Sequence, residues 1–154
     1  MLNLIPNEET FFQLTEAQMM TTVLHDFNFS AYDQFLAEIE GQPVEWAPGR
    51  SLEVHPQYDA RMFALAKEFE GSDYFDKNFK RTLMQKQHEE ITEDDVDEIA
   101  RTSEDFFDVR AITSVVIFNE RRMDGMWASM TEKGILRRLL QRLQSLTPEG
   151  FPNF

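Results

Sequence analysis

Five leucines, Leu136, Leu139, Leu140, Leu143 and Leu146, recur at i, i+3, i+4, i+7 and i+10. That spacing commits the stretch to an amphipathic helix with one apolar face to bury. Arg137, Arg138, Gln141, Arg142, Gln144 and Ser145 take the remaining faces. Thr147 and Pro148 end the helix, because proline lacks the N–H and disfavours helical backbone in the residue before it. Upstream, Asp124 is expected to cap a shorter helix with Trp127 and Met130 inside. Gly134 suits the left-handed position at which a helix ends without a Cβ penalty. The pair reads as a carboxy-terminal αα-hairpin, with Trp127 buried against the leucine face across Gly134.

A face of that size needs a cover, and the rest of the chain can supply it. The chain has 154 residues, the length of one domain, with 42% hydrophobic residues and 14 phenylalanines. Disorder is excluded at that composition. No apolar run approaches the length of a bilayer span. The amino terminus, MLNLIPNEET, has neither the basic residue nor the apolar stretch of a signal peptide. There are no cysteines, which excludes disulfides and thiolate metal sites and fits a reducing, cytoplasmic setting.

Taken in order, the chain offers helix signals with one interruption. Thr15 and Gln18 form a capping-box pattern with Leu14 and Met19 as its staple, and the helix after it would bury Met20, Val23, Leu24 and Phe27. Ser30 can cap a second helix with Tyr32, Phe35, Leu36 and Ile39 inside and Gly41 as its stop. Residues 43–54 change character. Val44 and Trp46 flank Glu45, Leu52 and Val54 flank Glu53, and Ala47-Pro48-Gly49-Arg50 suits a type II turn, so a short β-hairpin is expected. Pro56 would open the next helix, lined by Tyr58, Met62, Leu65, Ala66 and Phe69 and ended by Gly71. Ser72 would cap another, with Phe75, Phe79 and Leu83 inside and Lys77, Lys80, Arg81 and Lys86 outside, those cations pairing with nearby acids.

Thr92 and Asp95 make a second capping box, stapled by Ile91 and Val96, with Glu93, Asp94 and Asp95 placed where the helix dipole favours negative charge. Ser103 would start a further segment, with Glu104 and Asp105 in the same role. Residues 106–118 fit a buried helix through Phe106, Val109, Ile112 and Val116, although the run from Ser114 to Phe118 is β-branched enough for a buried strand. The expected fold is therefore mainly α, α+β at most: a single compact helical domain over residues 1–154.

Glu120, Arg121, Asp124, Gly125, Trp127 and Ala128, followed by Glu132, Gly134 and the leucine helix, form a box. It resembles the carboxy-terminal box of an uncharacterised family of small bacterial proteins. The resemblance covers Glu120 to Leu146, implies a bacterial or phage origin and implies no activity.

Motifs for chemistry are sparse. His25, His55 and His88 show no metal-ligand spacing and read as surface histidines. The acidic run lacks the pattern of a calcium loop. There is no phosphate-binding glycine loop and no nucleophile motif. No catalytic, cofactor or metal site is expected. What the sequence offers is charge. The net charge is −13, and it is uneven: residues 1–119 carry 24 acidic and 9 basic side chains, whereas residues 120–154 carry 4 and 6. Glu89, Glu90, Glu93, Asp94, Asp95, Asp97, Glu98, Glu104 and Asp105 form a candidate acidic surface for a basic protein partner, such as a nucleic-acid-binding protein. An inhibitor or immunity-type protein, or a nucleic-acid mimic, would present such a surface. The charge argues against direct binding of nucleic acid or anionic membrane. Two alternatives stand beside this reading. One is a helix-turn-helix-like regulator using Arg137, Arg138 and Arg142. The other is an enzyme of unrecognised type.

Overall fold

The computed structural model describes residues 27–49, 53–121 and 124–152. Within them the chain runs α1 (Phe29–Ile39), β1 (Trp46–Pro48), β2 (Val54–Pro56), α2 (Ala60–Glu70), α3 (Phe79–Gln85) and α4 (Glu93–Thr102). It continues through α5 (Phe106–Phe118), a 3-10 turn (Asn119–Arg121), α6 (Met126–Glu132) and α7 (Ile135–Leu146). The fold is mainly helical, with one two-stranded antiparallel hairpin. The helix expected after Thr15, with its Leu14 and Met19 staple, lies outside the described residues apart from Phe27, which is buried. His25 lies outside them too.

The leucine helix is the organising element. α7 packs on α1, α4, α5 and α6, and Leu136, Leu139, Leu140 and Leu143 are all buried. Gly134 joins α6 to α7 at φ 73°, and a β-carbon there would lie 2.8 Å from the Glu40 carboxylate. The second centre is α5. The β-branched run is helical, and apolar burial on nearly every side overrides its intrinsic strand preference. Nine of its residues are buried. Two of its polar ones are satisfied: Thr113 Oγ1 donates to the Val109 carbonyl at 2.7 Å, and Ser114 Oγ to that of Arg110 at 2.7 Å while accepting from Asp76 N at 2.9 Å. Among the described residues no helix is long and apolar enough to cross a membrane.

The caps differ from the sequence reading in instructive ways. The Thr92 and Asp95 capping box is complete, each side chain bonding the other's backbone N–H. Asn28, not Ser30, caps α1, because its carboxamide reaches Ala31 N. Asp59 caps α2, bonding Arg61 N at 2.8 Å, and Pro56 ends β2 instead of opening the helix. Ser72 makes a local turn, donating to Phe69 O and accepting from Tyr74 N, and α3 starts only at Phe79. Asp105 caps α5 through Phe107 N and Asp108 N, while Ser103 ends α4. The hairpin sits later than residues 43–54: Trp46 pairs with Pro56, Ala47 with His55 and Pro48 with Val54. Ala47 and Pro48 are strand, and Gly49 N closes the connection onto Glu53 O at 2.9 Å.

Candidate functional site: an apolar cavity beside the acidic helix

The resembling box folds into a seam that fixes the hairpin to α6. Asp124 does not cap α6; it bonds His55 Nδ1 at 2.6 Å. The cap comes from Glu120, whose carboxylate accepts from Gly125 N at 3.0 Å, Trp127 N at 2.8 Å and the Tyr58 hydroxyl at 2.8 Å. Burial, followed by this bond to Glu120, pushes the Tyr58 phenol well above its ordinary value. Gly125 adopts φ 101°, and a β-carbon there would lie 3.0 Å from the Trp46 indole. Trp127 is buried. Its Nε1–H donates to the Ile117 carbonyl at 3.0 Å, and the rings against it are Tyr58 and Phe63. Arg121 forms a two-bond pair with Glu70, at 2.8 and 2.7 Å, and lies over Phe118.

This seam forms one side of a cavity of about 590 Å³ between the hairpin, the α3–α4 connection, α5 and α6. Leu83, Ile91, Val96, Val115, Met126 and Met130 supply an apolar interior, and Trp46, half exposed, stands among the lining residues. His88, Glu89, Glu93, Asp124 and Ser129 supply the polar groups. A concave, mainly apolar space of this size with a few polar groups is the usual form of a binding site.

His88, expected at the surface, is partly buried. Its Nε2 lies 3.0 Å from Asp108 Oδ2, and both side chains are largely buried. Asp108 Oδ1 is buried without a hydrogen-bond partner. The Asp108 carboxylate on Nε2 fixes the orientation of the imidazole, which is one of the polar groups lining the cavity. Two hydroxyls line the same cavity: that of Ser129 donates to Glu93, and that of Thr92 accepts from Asp95 N in the capping box. Among the described residues no group of three His, Asp or Glu side chains is placed to hold a metal ion.

The nine acidic candidates divide into two sets. Glu93 pairs with Lys133 and accepts from Ser129. Asp97 bonds Arg138 at 2.9 Å and Arg101 at 3.1 Å. Asp105 bonds Lys86 at 2.5 Å, and Asp95 is spent on the cap. For Glu93, Asp97 and Asp105 burial works to raise the carboxyl, yet these bonds outweigh it and hold each below its ordinary value. Glu89, Glu90, Asp94, Glu98 and Glu104 are exposed. The alternative arginine surface is occupied from within. Arg137 reaches Asp33 at 2.9 Å and Glu40 at 3.4 Å, Arg138 reaches Asp97, and Arg142 donates to the Ala100 and Arg101 carbonyls at the end of α4.

Sequence reasoning missed the cavity and two of its determinants. His88 was legible only as one residue among acids, since Asp108 comes from another helix. Glu120 was legible in the box, but its capping role spans a turn of irregular backbone that no periodicity marks.

These features define a helical domain with a preformed apolar cavity flanked by an acidic helix start. The chain belongs to a family of unknown function, DUF6508, whose pattern matches residues 28–149. The matched span contains the carboxy-terminal box and extends far beyond it, through α1 to α7. No curated protein and no solved structure matches the chain.

Proposed function

We propose that this domain acts by binding another protein, taking an apolar anchor of the partner into the cavity and setting its flanking Lys or Arg against Glu89, Glu90 and Asp94. The observation that carries this reading is the meeting of the two features: the apolar cavity includes Glu89 in its lining, and that carboxylate is exposed beside the start of α4. Glu98 and Glu104 extend the negative face. Glu93, Asp95, Asp97 and Asp105 are held within the chain, so the proposed surface is shorter than the acidic run and does not require a row of charges spaced like phosphates. A nucleic-acid-binding protein inhibited by this domain is one class of partner with the required basic surface. The paired arginines of α7 give the regulator reading less support than this one.

The test uses labelled short peptides and fluorescence anisotropy. A peptide with a Phe-Leu anchor between lysines is expected to bind saturably. Replacing the anchor with Gly-Ser, or the lysines with glutamates, is expected to abolish binding. Glu89→Gln/Glu90→Gln/Asp94→Asn should weaken association and flatten its salt dependence, because rim charges act mainly on the encounter rate. Val115→Phe, which fills the cavity, should block the anchor. Equal binding of the anchorless lysine peptide, or unchanged binding by both variants, defeats the reading.

A further inference from the structure

We propose that a second cavity, between the start of α3 and the end of α5, binds a small organic anion that carries a flat ring, of the nucleoside monophosphate class. It is a depression open to solvent, of about 490 Å³, and shares no lining residue with the cavity beside α4. Phe75, Phe79 and Phe118 form its aromatic part, with ring centroids 6.3 Å apart for the first two and 5.5 Å for the last two. Lys77, Lys80 and Arg81, all exposed, complete the lining with Asn78.

Three facts carry the inference. First, of the thirteen described Lys and Arg side chains seven pair with carboxylates, Arg110 and Arg142 bond backbone carbonyls, and Lys67, Lys77, Lys80 and Arg81 form no ion pair. Arg61, Lys86, Arg101, Arg121, Lys133, Arg137 and Arg138 each have a carboxylate partner. Lys77, Lys80 and Arg81 form no ion pair with any described residue, although the chain carries 28 acids.

Second, the acid four residues before Lys80 precedes α3 and is turned inward. Asp76 is buried, accepting from Asn78 N at 2.8 Å and from the Thr82 hydroxyl at 2.7 Å. Three unpaired cations thus line one cavity with aromatic rings, where an arriving anion gains charge-assisted hydrogen bonds.

Third, Phe79 is buried and Arg121 lies over one face of Phe118, so the partly exposed rings of Phe75 and Phe118 supply an aromatic wall with few hydrogen bonds, which suits a flat heterocycle. A bare inorganic anion leaves that surface unused. A long polyanion meets the −13 charge of the whole chain, whereas one phosphate group responds mainly to charges within a screening length of about 8 Å.

The test titrates AMP, adenosine and inorganic phosphate into the full chain and follows backbone amide shifts by NMR. AMP is expected to saturate, with shifts concentrated at residues 75–82 and 118, and to bind about tenfold or more tighter than either fragment. Lys80→Gln/Arg81→Gln, at exposed positions, should retain the wild-type spectrum elsewhere and weaken AMP by about tenfold. AMP binding no tighter than phosphate, shifts located elsewhere, or undiminished affinity in the double variant each overturns the proposal. So does an acidic phenylalanine-containing peptide that saturates the cavity when AMP does not. None of these outcomes depends on the lysine-peptide titration, so the two sites stand or fall separately.

Discussion

On α7, Arg137 reaches Asp33 and Glu40 of α1, Arg138 reaches Asp97 of α4, and Arg142 closes the carbonyl end of α4. Around α3, Lys77, Lys80 and Arg81 reach no carboxylate among the described residues, and only Lys86, just past its end, finds Asp105. The sequence alone points to a different division of these two groups. It offers the α7 arginines as a possible contact surface and has the α3 cations pairing with acids along their own helix. Whether a charge is free is decided by which distant element lands beside it. The leucine face forces α1 and α4 onto α7, and both bring carboxylates. α3 packs on α5, whose buried polar groups Ser114 and Asp108 are met by Asp76 N and His88 instead of by the α3 cations.

The contrast can be broken most sharply in the hairpin itself. Trp127→Ala removes a buried ring and its bond to Ile117 O, and urea unfolding should show a loss of about 3–5 kcal/mol. A loss under ~1 kcal/mol would mean that the α6–α7 hairpin is not core. Next comes Thr92→Ala, which opens the capping box of the helix that supplies Asp97 to Arg138. About 1 kcal/mol is expected from chemical denaturation, together with faster amide exchange in the first turn of α4.

Arg137→Gln should cost less, roughly 0.2–1 kcal/mol, because the pair with Asp33 is about one-third exposed and screened. Its pH dependence has a fixed sign. The Arg137 hydrogen bond leads the causes that hold the Asp33 carboxyl below its ordinary 3.8. The pair therefore contributes fully above that value and is lost as pH falls through the lowered one. Wild type and variant should differ at neutral pH, begin to converge below about 3.8 and coincide once pH has fallen through the lowered value; a gap that persists at that point would assign the effect to packing. The smallest change belongs to Lys77→Gln/Lys80→Gln/Arg81→Gln, which should move stability by under about 0.5 kcal/mol in either direction. A larger loss would show that these cations have a structural role after all.

The parts of the fold legible in the sequence were those written in local periodicity. The leucine spacing, the Thr92 box, the Gly134 turn and the buried character of residues 106–118 all reappear in the structure. Boundaries set by competing caps were less legible. Asn28 displaces Ser30 and Asp105 displaces Ser103 because a carboxamide or carboxylate two positions away offers the better acceptor geometry. Pro56 was ambiguous, since a strand end and a first helical turn both tolerate its missing N–H. The cavity was not legible at all. His88 meets Asp108 and Trp46 meets Gly125 only after the chain has folded, and the separations of 20 and 79 residues carry no local signal.

The close fit of Trp46 against Gly125 has an optical consequence. The chain has two indoles, one 6% exposed with its N–H bonded to a carbonyl and the other 47% exposed among the cavity's lining residues. A collisional quencher such as acrylamide should therefore reach Trp46 and spare Trp127, so that the emission divides into a shielded blue component and an accessible red one. Any molecule that enters the cavity must dim or shift the second component alone, and the protein reports its own occupancy without a label.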